Sequence, residues 1–275
     1  MKKFSTLFAV LAIAMNMNAY DVVINEMCFD LNKETKTATM VQDPDYVYQY
    51  LGDIEIPSSI EVEGDLYTVT AIGEYCFFYT KGLYSVSIPE TVEAIGTYAF
   101  CYSVIEKVNI PSKVKVLEPY VFSDCNDLVE ITLSEGLEKI CNGAFYACKL
   151  LENLTIPSTV TSIEGEFTFN LCTSLAELHV NMVNPVAFNN EIMFDQNIYD
   201  NTILYVPNGT KDAYKTTNYW CNFKNIEEDN VNTGIDNIVS DINANDMMYD
   251  LQGRRVFAPI KGQIYIQNGK KMIAK

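Results

Sequence analysis

The stretch Val92-Glu-Ala-Ile-Gly-Thr-Tyr-Ala-Phe100 decides the fold of this 275-residue chain, because versions of it recur about every 23 residues. The other versions share its apolar positions and are Val69–Phe77, Val114–Phe122, Leu137–Phe145 and Val160–Phe169. A fixed period with fixed apolar positions is typical of a solenoid, in which each coil buries its apolar face only against neighbouring coils. The sequence therefore predicts one cooperative array of five repeats over residues 67–180.

A second apolar pair lies between successive versions and alternates with polar residues. Such period-two alternation predicts a strand with one buried face, and equivalent strands should stack in parallel ~4.8 Å apart. We expect one member of each pair to join a single buried column, formed by Ile88, Ile110, Leu133, Ile156 and Val180. We expect an internal aromatic column, carried by short helical turns, from Phe77, Phe100, Phe122, Phe145 and Phe169.

The combined pattern V-x-x-I-G-x-x-A-F-x-x-C-x-x-L-x-x-V-x-I-P resembles the BspA-type leucine-rich repeats of secreted bacterial proteins over about residues 54–226. Gly96 departs to Glu118 and Cys141 in the third and fourth copies. The resemblance implies a leucine-rich-repeat solenoid, α/β but rich in β-structure, with stacked short parallel strands and short helical turns. It further implies a β-rich leader and cap over residues 20–66 and a closing coil over 181–226.

The closing region carries its own local signals. Lys211–Thr216 reads as a short helix, and Ile203–Pro207 repeats the strand and its proline. By the same resemblance, Trp220 and Phe223 should cover the last rung of the array. Terminal repeats need such caps because an open end exposes core and unpaired strand edge.

The chain opens with the features of a secretory signal peptide over residues 1–19. Lys2 and Lys3 precede an apolar run from Phe4 to Ala14, and the segment Met17-Asn18-Ala19 then predicts cleavage at or near Ala19, although Met17 is unusual at its position. No other apolar run approaches the ~18 residues that a membrane helix needs. We therefore expect an exported protein without a membrane span, either secreted or held on the outer surface of a Gram-negative bacterium.

Residues 227–246 are rich in Asn and Asp and predict a linker, followed by a small β tail over 247–275. Within the tail, Lys261-Gly262, Tyr265, Gly269 and Lys271 approximate the K-G-x-Y-x-x-x-x-G-x-K pattern. The tail thus resembles the short type IX secretion signals of proteins exported by Gram-negative anaerobes. A small β accessory unit without a sorting role is an equally open alternative.

The net charge of −17 at pH 7 limits the kinds of molecule that the protein is expected to bind. An acidic surface repels phosphate backbones and anionic lipid, so nucleic acid and anionic membranes are not expected partners.

Eight cysteines in an exported chain invite a disulfide interpretation, but their spacing favours another. Cys125, Cys148 and Cys172 occupy one repeat position, where small buried thiols suit a core column. We expect these three to be buried and reduced. The redox state of the others off this column stays open, namely Cys76, Cys101, Cys141 and Cys221.

Catalytic signals are weak, and the sequence predicts no enzyme, no cofactor and no metal site. His179, the only histidine, lies between two apolar strand residues and should point outward as an exposed strand residue. The acids at Asp43/Asp45 and Asp195/Asn197/Asp200 lack the glycine and distal glutamate of an EF-hand loop. A carboxylate pair for glycan hydrolysis stays an open alternative among the 36 acidic residues.

Two surfaces are candidates for ligand binding. The first, called the strand face here, is the row of outward polar strand residues Lys107, Asn109, Glu130, Thr132, Asn153 and Thr155. The second, called the tyrosine edge, is Tyr75, Tyr98 and Tyr120, whose rings alternatively pack along the turns of the solenoid itself.

The resemblance implies a secreted or cell-surface binding module, adhesin-like, whose ligand is a protein or glycan of host matrix or another cell. This step is an analogy, because a fold does not fix a function. The alternatives are a secreted glycan-active enzyme and a purely structural subunit of a surface assembly.

Overall fold

The computed structural model describes residues 20–43, 50–188 and 192–229, together with the backbone of four short strands between residues 248 and 273. The predicted signal peptide, most of the predicted linker, and Lys261, Gly262 and Gly269 of the tail motif lie outside the described residues. The chain divides into one compact unit that ends at Asp229 and a second that begins at Asn230.

The first unit opens with a mixed sheet that covers one end of the array. Its strands are β1 (Val22–Ile24), β2 (Met27–Asn32), β3 (Thr37–Val41), β5 (Ser59–Val62) and β6 (Asp65–Ile72), in the order β1-β2-β3-β6-β5. Neighbours pair antiparallel except β3 and β6, which pair in parallel. The β5–β6 hairpin turns at Glu63-Gly64, both at positive φ, as a two-residue hairpin loop requires.

The predicted parallel strands form two four-stranded sheets. The first contains β4 (Gly52–Glu55), β7 (Leu83–Ser87), β9 (Lys107–Ile110) and β11 (Glu130–Leu133), and the second contains β13 (Asn153–Ile156), β15 (Glu177–Val180), β16 (Ile203–Pro207) and β17 (Asn225–Asp229). Equivalent residues pair in register, as Ile110 with Leu133 and Ile156 with Val180, which confirms the repeat register. The strands β11 and β13 meet without ladder pairing among the described residues.

A second, narrower row of strands lies on another side of the coils. It consists of β8 (Ala94–Ile95), β10 (Val116–Leu117), β12 (Lys139–Ile140) and β14 (Ser162–Ile163). β10, β12 and β14 form one parallel sheet, and β8 pairs with β6. Each strand of this row buries one residue, because only one of its two side chains faces the core.

The phenylalanine-bearing segments are runs of hydrogen-bonded turns and not the helical turns expected. In the first coil, Tyr75, Phe77 and Tyr79 donate their N–H groups to carbonyls of the next coil, while Phe78 and Thr80 donate to carbonyls three residues back. Tyr75 and Tyr79 have φ of 56° and 58°, in the left-handed region that ends a right-handed helix. Alternate N–H groups therefore point along the array, and each coil satisfies the polar backbone of its neighbour.

The predicted phenylalanine column is present and longer than expected. Phe77, Phe100, Phe122, Phe145 and Phe169 are fully buried and stack in order with ring centroids 4.9, 5.1, 5.9 and 5.7 Å apart. Tyr50 packs edge-on against Phe77 at one end, and Phe194 stacks on Phe169 at 5.0 Å at the other.

The closing region follows, with α1 (Gln196–Asn201), α2 (Lys211–Thr216) and a 3-10 turn at Trp220–Asn222. The short helix expected at Lys211–Thr216 is confirmed, and Trp220 and Phe223 are buried against Phe194, as expected of a cap. The indole N–H of Trp220 donates to the carbonyl of Val186 at 2.8 Å, so the one polar atom of this ring is satisfied in the core.

The described residues of the second unit form four antiparallel strands, β18 (Met248–Tyr249), β19 (Arg255–Val256), β20 (Ile264–Gln267) and β21 (Lys270–Ile273), in the order β19-β18-β20-β21. The β-strand content expected of the tail is thus present. Across the part of the chain that the structure describes, no helix has the length and apolar composition to cross a bilayer.

Candidate functional site

All six residues of the predicted strand face are exposed. Lys107 and Glu130 pair across β9 and β11, with Nζ and Oε2 2.9 Å apart, and Asn109 lies opposite Thr132 in the same ladder. The hydrogen bond and charge of Glu130 raise the pKa of Lys107. Asn153 and Thr155 lie on β13, in the second sheet. The structure therefore brings four of the six together in one ladder and places the other two beyond the break in pairing.

A depression of about 380 Å³ opens in this face at its N-terminal half. It is lined by Lys107, Asn109 and Glu130 of the predicted set, together with Ser87 and Glu90 and others of the same surface. Carboxylate, ammonium, amide and hydroxyl groups thus surround a single recess. These groups supply hydrogen-bond donors and acceptors within one small surface.

The position of Ile88 accounts for one wall of the depression and corrects an expectation. Ile88 was expected in the buried column with Ile110, but it is only half-buried and also lines the recess. The strand β7 ends at Ser87, and its pairing with β9 covers only Ser85 with Lys107 and Val86 with Val108. Because the chain leaves the sheet before Ile88, this side chain packs against the core but stays partly exposed, unlike its buried equivalents.

His179 also differs from its expected setting. It points outward, as expected, but it is half-buried and not simply exposed. Its Nδ1 lies 2.8 Å from an Oδ of Asp229, its Nε2 lies 3.4 Å from Glu177, and its ring stacks on Tyr205 at 4.5 Å. The sequence did not reveal this arrangement because Asp229 is brought close only by the last strand, which pairs Pro207 with Asp229.

The three rings of the tyrosine edge form a ladder of their own. Neighbouring centroids lie 5.1 Å apart with interplanar angles of 7° and 2°, and Tyr75 is 42 % exposed. The ladder ends at Gly143, where the ring of Tyr120 occupies the space that a Cβ would fill. The hydroxyl of Tyr120 accepts a hydrogen bond from Asn142 at 2.7 Å. The rings thus use their faces on each other and leave mainly edges and hydroxyl groups to solvent.

The acids considered for calcium have structural partners. Asp195 caps α1 by accepting from the N–H of Ile198 at 3.1 Å, and Asp200 pairs with Lys224 at 3.0 Å. The hydrogen bond from Lys224 lowers the pKa of Asp200. Asp45 lies outside the described residues. Within the described ranges, no group of three or more His, Cys, Asp or Glu side chains could hold a metal ion.

The predicted thiol column is buried, as expected. The Sγ atoms of Cys125, Cys148 and Cys172 each donate to the carbonyl of a phenylalanine in the preceding coil, at 3.1 to 3.2 Å. Thr80 and Ser103 hold the same repeat position in the first two coils, and the hydroxyl of Thr80 donates to Phe77 at 2.7 Å. The three thiols therefore satisfy inward carbonyls of the preceding coil, and the hydroxyl of Thr80 satisfies a carbonyl of its own coil.

These thiols should be inert in the native protein. Burial raises the pKa of the Cys125 thiol to about 12 and that of Cys148 well above its usual value, so neither presents a thiolate near neutral pH. We expect iodoacetamide to leave Cys125, Cys148 and Cys172 unmodified until the protein is denatured, while the exposed Cys221 reacts at once. Mass spectrometry of the protein denatured without reductant checks this. A disulfide between neighbouring members of the column would contradict it.

Comparison with known proteins identifies the repeat region. Residues 45–176 match the family model described as BspA type leucine rich repeat region, in six copies. The repeats of this stretch are therefore similar to BspA-type leucine-rich repeats, and the expected resemblance is confirmed for it. No curated protein matches the chain.

One of the solved structures similar to this chain supports the fold, and two more show weaker similarity. A leucine-rich repeat protein of T. pallidum matches with a TM-score of 0.52 and 17 % identity, over 72 % of this chain and 96 % of that one. A leucine-rich repeat protein from Bacteroides capillosus is 27 % identical over 58 % of this chain and 97 % of that one, with a TM-score of 0.39. A leucine rich cell surface protein from Faecalibacterium prausnitzii is 20 % identical over 70 % and 71 % of the two chains, with a TM-score of 0.37.

Proposed function

We propose that this chain is a secreted or cell-surface binding module, adhesin-like, that holds a protein or glycan ligand on its strand face. The observation that carries the proposal is the depression lined by Lys107, Asn109 and Glu130, three residues that the repeat spacing already predicts to point outward. A recess with charged and neutral polar groups fixes a ligand's orientation better than a flat polar surface does.

The physics of the face favours weak, repeated contacts. Backbone ladders hold Lys107, Asn109, Glu130 and Thr132 in fixed register, so little conformational entropy is lost when a ligand binds. The side chains are short or already paired, and exposed ion pairs contribute only about 0–1 kcal/mol. Many copies on one surface would then supply affinity through multivalency.

Exchanging the charges of the central ion pair tests the site. The double variant Lys107→Glu with Glu130→Lys keeps the net charge and preserves an ion pair across β9 and β11. We expect the melting temperature to stay within a few degrees of wild type. Binding to an array of matrix proteins and glycans should weaken about tenfold, because each reversed charge then faces a ligand group that suited the opposite charge. The double variant Lys139→Glu with Glu164→Lys exchanges an ion pair that lies outside the strand face and does not line the depression, so it is the matched control and should bind as wild type does.

The tyrosine edge is the competing location for the same function. Exposed tyrosines are good contact residues, and Tyr75 keeps much of its surface. If the charge exchange leaves binding intact and alanine at Tyr75, Tyr98 and Tyr120 abolishes it, the ligand is held at this edge. We favour the strand face because the tyrosine rings stack on one another, so their faces are not free to contact a ligand.

We propose binding and not catalysis as the role of the outward surface. His179 is hydrogen-bonded to Asp229, and its other ring nitrogen faces Glu177; among the described residues, no hydroxyl or thiol is hydrogen-bonded to the ring. The contact between His179 on β15 and Asp229 on β17 is suited to holding these strands in place and not to activating a nucleophile. A glycan-active enzyme and a purely structural subunit are the remaining alternatives, and turnover of a labelled glycan by the purified chain would favour the first.

Export completes the proposal. The basic start and apolar run of residues 1–19 support a signal peptide. The motif residues of the tail support a sorting role for residues 247–275, like that of the type IX secretion signals of Gram-negative bacteria. Labelling of intact cells with an antibody to the solenoid tests surface display. Unchanged display after deletion of residues 247–275 would reject the sorting role.

A further inference from the structure

A recess of about 480 Å³ lies at the N-terminal end of the turn side, away from the strand face. Its apolar wall includes Tyr50, Phe78 and Tyr79, and its polar lining includes Gln42, Thr80 and Lys81. This volume falls in the range of small-ligand pockets, roughly 300–1,000 Å³, which combine apolar walls with a few polar groups.

Two tyrosine rings at and next to this recess are exposed to water, although the backbone at their position does not require an aromatic side chain. Tyr79 is 54 % exposed and Tyr102, one coil later, is 48 % exposed, with φ of 58° and 60°. The same left-handed position in later coils is held by Asp124, Ala147 and Leu171. Since alanine fills this backbone position, the fold does not demand a ring there. Two water-exposed tyrosines beside the recess therefore call for another explanation, and a contact surface supplies one.

The aromatic groups are held in place by one another. Phe78 lies edge-on to Tyr102 with centroids 5.9 Å apart and edge-on to Tyr75 at 5.5 Å, while Tyr79 meets Tyr102 at 6.5 Å. Tyr50 anchors the inner wall, because its hydroxyl donates to the carbonyl of Val41 at 2.8 Å. Burial is the main cause that raises the pKa of Tyr50, so this hydroxyl stays protonated. A rigid aromatic wall loses little entropy when a ligand packs on it.

The polar groups of the recess provide donors and acceptors in a small space. The hydroxyl of Thr80 gives its proton to Phe77, so its oxygen lone pairs can accept from a ligand. The ammonium of Lys81 lies 4.4 Å from the centroid of the Tyr79 ring and has no carboxylate within ion-pair distance among the described residues. Gln42 donates one N–H to the carbonyl of Phe78 at 3.4 Å, which leaves its side-chain oxygen as an acceptor.

We infer that this recess is a second binding site, for a neutral oligosaccharide. A sugar presents C–H groups of partial positive charge on its ring faces and hydroxyl groups on its rim. The C–H groups pack on the rings of Phe78 and Tyr79 that line the recess, and the hydroxyl groups meet Gln42, Thr80 and Lys81. The chain's net charge of −17 disfavours an anionic saccharide. The inference does not depend on the strand face, which shares no residue with this recess.

Isothermal titration of residues 20–275 with a panel of neutral tetrasaccharides (β-1,4-glucan, β-1,3-glucan, α-1,4-glucan, β-1,4-mannan, chitin) tests the site, with a heparin tetrasaccharide as the anionic probe. We expect at least one neutral probe to bind the wild type, and Tyr79→Ala to weaken that binding about tenfold, the loss of one stacking contact. Tyr84→Ala is the matched control, because Tyr84 is also 54 % exposed but does not line the recess, and it should bind as wild type.

Circular dichroism establishes that each variant is folded, and Phe78→Ala, at a second ring that lines the recess, provides another ring variant that is also expected to weaken binding. The inference is wrong if no neutral tetrasaccharide binds the wild type, or if both ring variants bind it unchanged. It is also wrong if the heparin fragment alone binds and Lys81→Met abolishes that binding, because the site would then recognise charge. The strand-face charge exchange should leave tetrasaccharide binding unchanged, so failure of either site is distinguishable from failure of the other.

Discussion

Replacing Phe122 by alanine is expected to lower the free energy of unfolding by about 3–5 kcal/mol, the usual cost of removing a buried phenylalanine. Phe122 is fully buried at the middle of the aromatic column, with Phe100 stacked on one face and Phe145 on the other. The backbone of Phe122 is also hydrogen-bonded, since its N–H donates to the carbonyl of Ala144 and its carbonyl accepts from the thiol of Cys148. With the backbone fixed in two directions, the cavity cannot close by local collapse.

The same substitution should also weaken the cooperativity of unfolding. A solenoid gains its stability from contacts between adjacent coils, so a defect at the centre separates two halves that can then unfold independently. Urea denaturation followed by circular dichroism should show an earlier and broader transition. Leu150→Ala, at a side chain that is 47 % exposed, is the control and should change stability by no more than about 0.5 kcal/mol. A loss below about 1 kcal/mol for Phe122→Ala would show that the column does not stabilise the array.

The parts of this fold that repeat could be predicted from the sequence, because a constant spacing assigns each side chain to a column. Phe100 and Phe122 followed from spacing alone, as did Ile110 and Leu133 on paired strands. Phe194 continues the aromatic column, but it follows an irregular stretch, so the repeat spacing does not predict its place there. The thiol column was predicted only in part, because a change from cysteine to threonine or serine conceals a shared role.

The candidate sites were harder to predict for a related reason. The outward direction of Lys107 and Glu130 follows from strand alternation, but the recess beside them depends on Ile88 leaving the sheet early. The second recess has walls from Tyr50 and from the turn around Tyr79, which are far apart in sequence and obey no common period. The contact of His179 with Asp229 likewise depends on how the last coil closes. Sites made where the repeat is interrupted are set by tertiary packing, which the period does not encode.

Replacing Gly96 by alanine should cost about 3 kcal/mol, near the upper end of the usual range for overpacking. A Cβ at this position would lie 2.5 Å from the backbone nitrogen of Glu74 and 2.8 Å from the carbonyl carbon of Gly73, and neither can move as a flexible side chain could. The N–H of Gly96 also donates to the carbonyl of Ile72 at 2.8 Å, which holds the first two coils together. The added methyl group therefore forces these coils apart and strains the β6–β8 pairing.

The spacing of the aromatic column shows why this glycine matters here and not in every coil. Where glycines face each other, at Gly73 and Gly96, the phenylalanine rings of the two coils are 4.9 Å apart; where Glu118 and Cys141 hold the equivalent position, they are 5.9 Å apart. Gly73→Ala is the matched control, because its Cβ would meet its nearest atoms only at 3.2 Å, one of them on the side chain of Val41, and should cost less than about 1 kcal/mol. Urea denaturation gives both values, and amide exchange should locate the loss of protection at β6 and β8. Equal stability of the two variants would mean that the first coils separate freely, and that the close approach of their backbones contributes nothing to the cap.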